Sequence, residues 1–286
     1  MLSRIAKFFG LTFSFILVGY LGYQFHLSDG FDKLQQFSLQ QYLLSIVSIF
    51  IYLLATFLLA FVWSLFFNEK QNQMALLNAY FKTILWKYLP TNILHFIGRH
   101  FYLKAIKKNT NIILNNSLEV LFVILSALSF IILLLVIGED IMIENNYFSE
   151  NLLILITLFL FVSVTVVLFK KNIFDIKRIF LINIYYLIFQ FLSALSFIFL
   201  WFIFIDNNST INTYLQIMMI YTVGWLLGFI VIGAPAGIGV RESVYLLLLQ
   251  PLVPSMGLLI AFLLLSRIVN IVAEVLLYLS SFSLRK

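Results

Sequence analysis

Long apolar runs separated by short polar stretches dominate the chain. A bilayer is crossed by a helix of about 20 predominantly apolar residues. Runs of about that length are predicted to span at 5–27, 42–67, 118–137, 152–169, 179–205, 214–232 and 255–282. A shorter run, Val240 to Leu249, ends at the Gln250-Pro251 step, and the sequence leaves open whether it crosses the membrane or re-enters and returns. Counted as a crossing, it gives about eight transmembrane helices.

Composition agrees with this reading. Hydrophobic residues make up 63% of the chain and charged residues 10%, and the mean hydropathy is +1.05, far more apolar than soluble usage. We therefore predict an all-α polytopic membrane protein, with residues 1–286 forming a single integral membrane domain. There is no cysteine and there are three scattered histidines, so neither a metal site nor a cofactor nor a catalytic thiol is expected.

The distribution of charge predicts the topology. Between residues 68 and 116 seven basic residues stand against one acid, Glu69, which places this segment in the cytoplasm by the positive-inside rule. The loop from Glu139 to Glu150 is acidic and is expected outside, and the basic loop from Lys170 to Arg178 inside. The run at 5–27 is expected to be an uncleaved first span with a cytoplasmic N-terminus. The net charge of +6 is read as topology and contact with anionic headgroups, with no nucleic acid as partner.

Proline and glycine interrupt the apolar pattern most strongly between Gly233 and Glu242, where Arg241 and Glu242 follow directly. A continuous helix is not expected here, because Pro235 lacks a backbone donor and glycines disfavour helix. Broken backbone at membrane depth persists only when it is buried in protein or lines a cavity. The stretch therefore predicts an internal cavity, although a charge pair at a helix start at the membrane interface remains the alternative for Arg241 and Glu242.

A second break is predicted near Pro90. The preceding segment, Met74 to Leu89, has apolar residues at helical spacing and is interpreted as an interfacial amphipathic helix. Residues 93–106 resume after the break and are interpreted as dipping into the membrane and returning, with His95 and His100 at the interface. In each half of the chain, two spans are followed by a Pro/Gly-broken, re-entrant segment. Residues 5–137 and 179–282 are therefore compatible with a parallel repeat, and a similarity that arose by chance is the alternative.

The last helix carries Arg267, Asn270 and Glu274 on one face. A polar stripe on a membrane helix is expected to face the bundle interior, where Arg267 pairs with Glu274 or reaches Glu242. A salt bridge that only fixes packing is the alternative. Glu119 is read either as a negative charge at a helix start or as a partner of the basic segment.

Four elements are shared with a known family: Tyr88-Leu89-Pro90 followed by Gly98-Arg99, then Ser117-Leu118-Glu119, then Gly233 to Glu242, and finally Leu265-Ser266-Arg267. With these elements the chain resembles the membrane domain of lysylphosphatidylglycerol synthases and the stand-alone flippase-like proteins similar to it. It departs from the family pattern at Ala236, where a second glycine is usual, and at Thr91, where glycine is common.

The resemblance implies a flippase-like transporter that moves an anionic or glycan-linked lipid between leaflets of the cytoplasmic membrane, in envelope lipid or polysaccharide assembly. No soluble aminoacyltransferase domain is apparent, so the chain is not expected to be an enzyme. Arg99, Arg241 and Arg267 would hold the headgroup, and glutamates would hold these arginines when the site is empty. The candidate substrate-binding residues are Pro90, Arg99, Glu119, Pro235, Gly237, Gly239, Arg241, Glu242, Arg267, Asn270 and Glu274.

Two other functions remain open at this point. One is a polyprenyl-phosphate-dependent membrane glycosyltransferase, whose acids would have to come from the loop containing Glu139, Asp140 and Glu144. The other is a non-transporting scaffold in a glycan-assembly complex, in which buried charges serve packing alone. The expected partners are membrane lipids, either phospholipid or lipid-linked glycan, and both a homo-oligomer and envelope-assembly partners are left open.

Overall fold

The computed structural model of the chain describes residue 23 and residues 38–67, 73–89, 93–105, 112–137, 175–204, 210–231 and 233–283. The predicted span at 5–27, apart from residue 23, the predicted span at 152–169, the acidic loop at 139–150 and Pro90 lie outside the described residues.

The described residues form helices joined by short breaks, without any strand. The helices are α1 Leu39–Ser64, α2 Gln73–Thr83, α3 Leu94–Ala105, α4 Ile112–Ile137, α5 Ile176–Phe204, α6 Ile211–Ile230, α7 Val240–Leu249 and α8 Met256–Ser283. Short 3₁₀ turns lie at Ile84–Tyr88, Pro235–Gly237 and Gln250–Leu252.

Five of these helices, α1, α4, α5, α6 and α8, are long and apolar enough to cross a membrane. The prediction of an all-α, multi-pass membrane protein is thereby confirmed at that level, whereas the count of eight crossings stays a prediction. α4 begins at Ile112, well before the predicted start at residue 118. Glu119 therefore lies inside the helix, and its interpretation as a charge at the helix start is wrong.

The bundle is apolar on its outer surface, and its mainly apolar interior also contains buried polar and charged groups. On α1 the exposed side chains include Leu43, Ile46, Phe50 and Leu54, which repeat at helical spacing along one face. Fully buried positions, in contrast, include charged and amide groups such as Glu274 and Gln190. A soluble bundle covers its surface with polar and charged side chains, so this apolar outer surface suits lipid contact.

Helices α1 and α5 pack antiparallel along their whole length. Gln41 Nε2 donates to the carbonyl of Ile203 at 3.0 Å near one end, and Arg178 donates to the carbonyl of Leu65 at 2.8 Å near the other. Between them Ser48 Oγ donates to the carbonyl of Ser196 at 2.8 Å, and Ser196 Oγ donates back to the carbonyl of Ser48 at 2.9 Å. Small hydroxylated residues allow the close backbone approach that drives helix association in lipid.

Helix α2 lies inside the protein, packed against α1 and α8. Residues on all of its sides are buried, including Leu76, Asn78, Ala79, Tyr80 and Phe81. The predicted interfacial helix is therefore wrong, because such a helix leaves its polar face in water. The chain breaks after α2 at the 3₁₀ turn Ile84–Tyr88 and returns as α3, which packs on both α2 and this turn.

The second broken segment folds back along α6. Tyr245 Oη of α7 donates to the carbonyl of Tyr221 at 3.1 Å, and Arg241 lies against Gly228, so α6 and α7 run antiparallel. Trp225 packs on Phe189 with ring centroids 5.4 Å apart, which brings the end of α6 level with the middle of α5.

The loop between α6 and α7 is thus enclosed by the bundle. Gly233, Ala234, Ala236 and Gly237 are buried in it. Its turn Pro235–Gly237 touches the other 3₁₀ turn, Ile84–Tyr88, so the two broken segments, distant in sequence, meet inside the bundle.

Candidate functional site

A cavity of about 60 Å³ lies between the two broken segments. A water molecule needs about 10–15 Å³ of such space, so the cavity holds about four to six waters or one small polar group. Its lining combines charged and aromatic side chains with the aliphatic wall of the bundle: Tyr52, Thr56, Leu59, Tyr80, Ile84, Lys87, His95, Arg99, Glu119, Val123, Phe189, Trp225, Phe229, Ala236, Arg241 and Glu274.

Arg99 and Glu119 form a buried ion pair at one side of the cavity. Arg99 Nη1 lies 2.5 Å from Glu119 Oε2, and the side chains are 2% and 4% exposed. The guanidinium carbon also lies 3.9 Å from the ring centroid of Tyr80 and 4.9 Å from that of Trp63, which adds cation–π attraction. The pair joins α3, which follows the first break, to α4.

Lys87 joins the first broken segment to the last helix. Its Nζ lies 2.6 Å from Glu274 Oε1, which also accepts a hydrogen bond from Tyr52 Oη at 3.3 Å. The side chain of Lys87 is 23% exposed and that of Glu274 is 1% exposed, so the lysine is the more accessible partner. Burial lowers the pKa of the Lys87 amine below its ordinary value, and the carboxylate of Glu274 partly offsets this. Glu274 was predicted to hold an arginine, with Glu242 as the alternative partner of Arg267. The cation at Glu274 is this lysine, and Arg267 binds Glu242.

Arg267 of α8 binds the second broken segment and holds it in place. It donates through Nε to Glu242 Oε1, and its terminal nitrogens lie 3.5 Å from the carbonyl oxygen of Ala236 and 3.4 Å from that of Gly237. Glu242 Oε2 in turn accepts from the backbone N–H of Gly239 at 2.7 Å. A carboxylate in the first turn caps the start of α7, where free N–H groups need acceptors. The arginine and the glutamate together satisfy backbone groups that the break would leave open.

Arg241 differs from the other buried cations. It is 9% exposed, and within the described part of the chain neither a hydrogen bond nor a carboxylate partner is found for it. Its buried Nε has no acceptor. The guanidinium carbon lies 5.5 Å from the ring centroid of Trp225, and the side chain runs past Gly228 and Gly237, where a Cβ on either glycine would overlap it. Glycine at these positions makes room for a cation that faces the cavity.

The candidate residues from the sequence separate into groups. Arg99, Glu119, Arg241 and Glu274 line the cavity. Pro235, Gly237, Gly239, Glu242 and Arg267 build the second broken segment beside it. Asn270 is half-buried and is not among the residues that line the cavity. Pro90 lies outside the described residues.

Several residues that line the cavity were not predicted from the sequence. Lys87 was counted only as a topology charge, although its place directly before the Tyr88-Leu89-Pro90 break was a signal. Tyr52 and Tyr80 gave no signal, because tyrosine in an apolar run is ordinary. His95 was read as interfacial, but it is 8% exposed and lines the cavity, so that reading is wrong.

Among the described residues no group of three or more His, Asp or Glu side chains is arranged to hold a metal ion. The arrangement instead places positive charge beside a small, partly enclosed cavity. Charge interactions strengthen as water is removed, so the chemistry of this lining favours an anionic group.

No family model matches this chain, and no curated protein sequence matches it.

Proposed function

We propose that this protein is a flippase-like transporter that moves a lipid with an anionic headgroup between the leaflets of the cytoplasmic membrane. The headgroup phosphate binds in the cavity between the two broken segments, and the acyl chains stay in the surrounding lipid. Membership of the lysylphosphatidylglycerol synthase membrane-domain family, suggested by the sequence resemblance, is part of this proposal.

One observation carries the proposal: Arg241 is a buried cation that faces the cavity and has no acid partner among the described residues. An isolated buried charge costs several kcal/mol, so a fold retains it only where a partner offsets the cost. A phosphate group is such a partner, and guanidinium binds it through two parallel hydrogen bonds.

The surroundings of Arg241 support the same function. Ion pairs hold both broken segments to spans: Arg99 to Glu119, Lys87 to Glu274, and Glu242 to Arg267. An entering phosphate competes with the carboxylates for the cations, which lets a break shift against its neighbour helix. Lys87 is the most exposed member of these pairs and is therefore the first cation that a headgroup meets. Broken segments that meet beside a polar cavity are typical of transport sites in membrane proteins.

Leaflet exchange in reconstituted vesicles tests the proposal. Purified protein is incorporated at equal amounts, and the movement of a fluorescent anionic phospholipid is followed by quenching from outside. We expect Arg241→Ala to abolish the exchange. Arg241→Lys should retain part of it, since a lysine ammonium cannot form the two parallel hydrogen bonds that a guanidinium makes to phosphate. Lys82→Ala is the matched control: it also removes one positive charge, but Lys82 bonds to Tyr102 and does not line the cavity. Exchange at the wild-type rate in the Arg241→Ala protein would contradict the proposal.

A scaffold that transports nothing is the second candidate, because one observation favours it. Among the described residues, three of the four arginine and lysine side chains in or beside the cavity, Lys87, Arg99 and Arg267, already have a carboxylate partner. Ion pairs of this kind fix helix packing without any ligand. A scaffold shows no exchange above protein-free vesicles, and its Arg241→Ala variant differs from wild type only in stability.

A further inference from the structure

An open groove of about 400 Å³ lies between helices α3 and α4 and shares no lining residue with the cavity described above. Three of its lining side chains are large, apolar and exposed: Ile97 to 43%, Phe101 to 62% and Ile113 to 69%. The groove is therefore part of the apolar outer surface of the bundle. Its lining residues repeat at helical spacing on each helix and are Phe96, Ile97, His100 and Phe101 on α3, and Ile113, Asn116, Ser117 and Val120 on α4.

The amide and hydroxyl groups in this α3–α4 groove already have partners within the protein. Asn116 Oδ1 accepts from Trp63 Nε1 at 3.2 Å, and Asn116 Nδ2 donates to the carbonyl of Phe96 at 3.2 Å. Ser117 Oγ donates to the carbonyl of Ile113 at 2.9 Å. An aliphatic chain therefore suits the groove, because it covers exposed apolar surface without displacing a hydrogen bond.

One end of the groove carries a positive charge. Lys104 is exposed and lies on the same face of α3 as Ile97 and Phe101, one turn beyond His100. Among the described residues no carboxylate pairs with Lys104. The one acid of α3 and α4, Glu119, is buried and binds Arg99.

The two properties together select an amphiphile with a negative end. The stretch of α3 from Phe96 to Lys104 is about 12 Å long at 1.5 Å per residue, which is enough to cover a large part of an acyl chain. A bilayer offers such a molecule at the protein surface, namely a phospholipid with a net negative headgroup. A zwitterionic phospholipid suits the site less well, because its ammonium group offsets the attraction between its phosphate and Lys104.

We infer that a phospholipid with a net negative headgroup binds in the α3–α4 groove, with one acyl chain along Ile97, Phe101 and Ile113 and the phosphate at Lys104. This lipid contacts both helices and thereby stabilises their packing. It remains bound at the outer surface and is not the transported molecule, so the inference does not depend on the proposed function.

Photolabelling of the full-length protein in vesicles tests the inference. The vesicles consist of phosphatidylcholine with a trace of a phospholipid that carries a diazirine on one acyl chain. The trace lipid is either phosphatidylglycerol or phosphatidylcholine, and mass spectrometry identifies the labelled peptides. We expect phosphatidylglycerol to label the groove residues about fivefold more than phosphatidylcholine does, because a single basic residue near the membrane surface gives an attraction of that order.

The substitution Lys104→Gln tests the charge. It should remove the preference, so that the two lipids label the groove equally. Lys82→Gln is the matched control, since Lys82 bonds to Tyr102 and does not line the groove. This variant should keep the wild-type preference.

The substitution Ser117→Phe tests the groove itself. Ser117 is exposed, so the larger side chain fills the groove without entering the core. Labelling of the groove by both lipids should fall. Leu121→Phe enlarges an exposed position of α4 that does not line the groove and should leave the labelling unchanged.

Three results would overturn the inference. Equal labelling of the wild-type groove by the two lipids contradicts the anionic class, and labelling without enrichment at the groove contradicts the site. If a second copy of the chain covers the groove instead, Phe101→Cys proteins should cross-link to each other on mild oxidation. Leaflet exchange is not measured in any of these experiments, so such a failure leaves the proposed function unaffected.

Discussion

Glu242 bonds to Arg267, which is 25 residues away in sequence, and not to its neighbour Arg241. Adjacent residues at the start of a helix project in different directions, so Glu242 turns toward α8 while Arg241 turns toward the cavity. Residues 241 and 242 do stand at a helix start, as the alternative interpretation has it, but they are buried and do not pair with each other. The pairing leaves Arg241 as the cation available to a ligand.

This pairing predicts a large coupling energy between Glu242 and Arg267. Arg267→Ala alone leaves a buried carboxylate unpaired and should lower the free energy of unfolding by about 3–5 kcal/mol. The double change Arg267→Ala with Glu242→Ala should recover much of that loss. For Arg241→Ala with Glu242→Ala the two effects should add to within about 0.5 kcal/mol. Unfolding in mixed detergent measures both cycles, and a larger coupling for 241 with 242 would contradict the assignment.

Gly228 should be needed for the position of Arg241. A methyl group at residue 228 would lie 2.4 Å from Cγ of Arg241, so the arginine has to leave its present position. Gly228→Ala should therefore reduce lipid exchange strongly.

Gly224→Ala, one turn earlier on α6, serves as the comparison. Its added methyl meets the Tyr245 ring instead. A rigid buried ring cannot move aside easily, so the free energy of unfolding of this variant should fall by about 1–3 kcal/mol. If Gly228→Ala keeps the wild-type rate of exchange, the prediction that Gly228 is needed for the position of Arg241 is contradicted.

Ala236 is expected to carry backbone strain. Its φ is 50°, in the left-handed region that costs an L-residue roughly 1 kcal/mol, whereas Ala234 in the same loop has φ −81°. Ala236→Gly should leave the free energy of unfolding unchanged or raise it by up to about 1 kcal/mol. Ala234→Gly should lower it, since glycine there only adds freedom to the unfolded chain. The free energies of unfolding of both variants are measured in the same detergent system. An equal loss in the two variants would contradict backbone strain at Ala236.

The register of α1 against α5 predicts a disulfide. Ser48 Oγ and Ser196 Oγ are 2.8 Å apart, and the chain has no cysteine of its own. Ser48→Cys with Ser196→Cys should therefore cross-link on mild oxidation, visible as a shift in non-reducing electrophoresis. Ser45→Cys with Ser196→Cys places one cysteine almost a turn away and should stay uncross-linked. The opposite result would show a different helix register.

The charge distribution predicts that the loop around residue 145 faces the outside. Asn145→Cys in this cysteine-free chain should react with a membrane-impermeant maleimide in intact cells. A cysteine at Lys107, in the basic segment, should react only after the membrane is opened. Labelling of residue 145 from the cytoplasmic side alone would overturn the predicted orientation.

The sequence by itself determined the class of the protein and where its backbone breaks. Apolar runs of about 20 residues leave few alternatives to membrane helices, and the predicted run at 255–282 differs from α8 by a single residue at each end. Glycine and proline are equally decisive, because they act through local backbone geometry. This is why the short segment Val240 to Leu249 was predicted with the bounds that helix α7 has. The break was predicted at Gly233 to Glu242, and its last three residues belong to that helix.

The tertiary structure decided between the charge pairs that the sequence left open, such as Glu274 or Glu242 for Arg267, and it alone decided which side chains share a space. Glu274 was expected to bind an arginine and binds Lys87, and α2 was expected at the membrane surface and lies inside the bundle. The amphipathic pattern of a buried helix that contacts polar residues of its own protein looks the same as that of a surface helix facing water. Long-range pairing depends on how helices are arranged in three dimensions, and neither hydrophobic period nor local charge spacing contains that information.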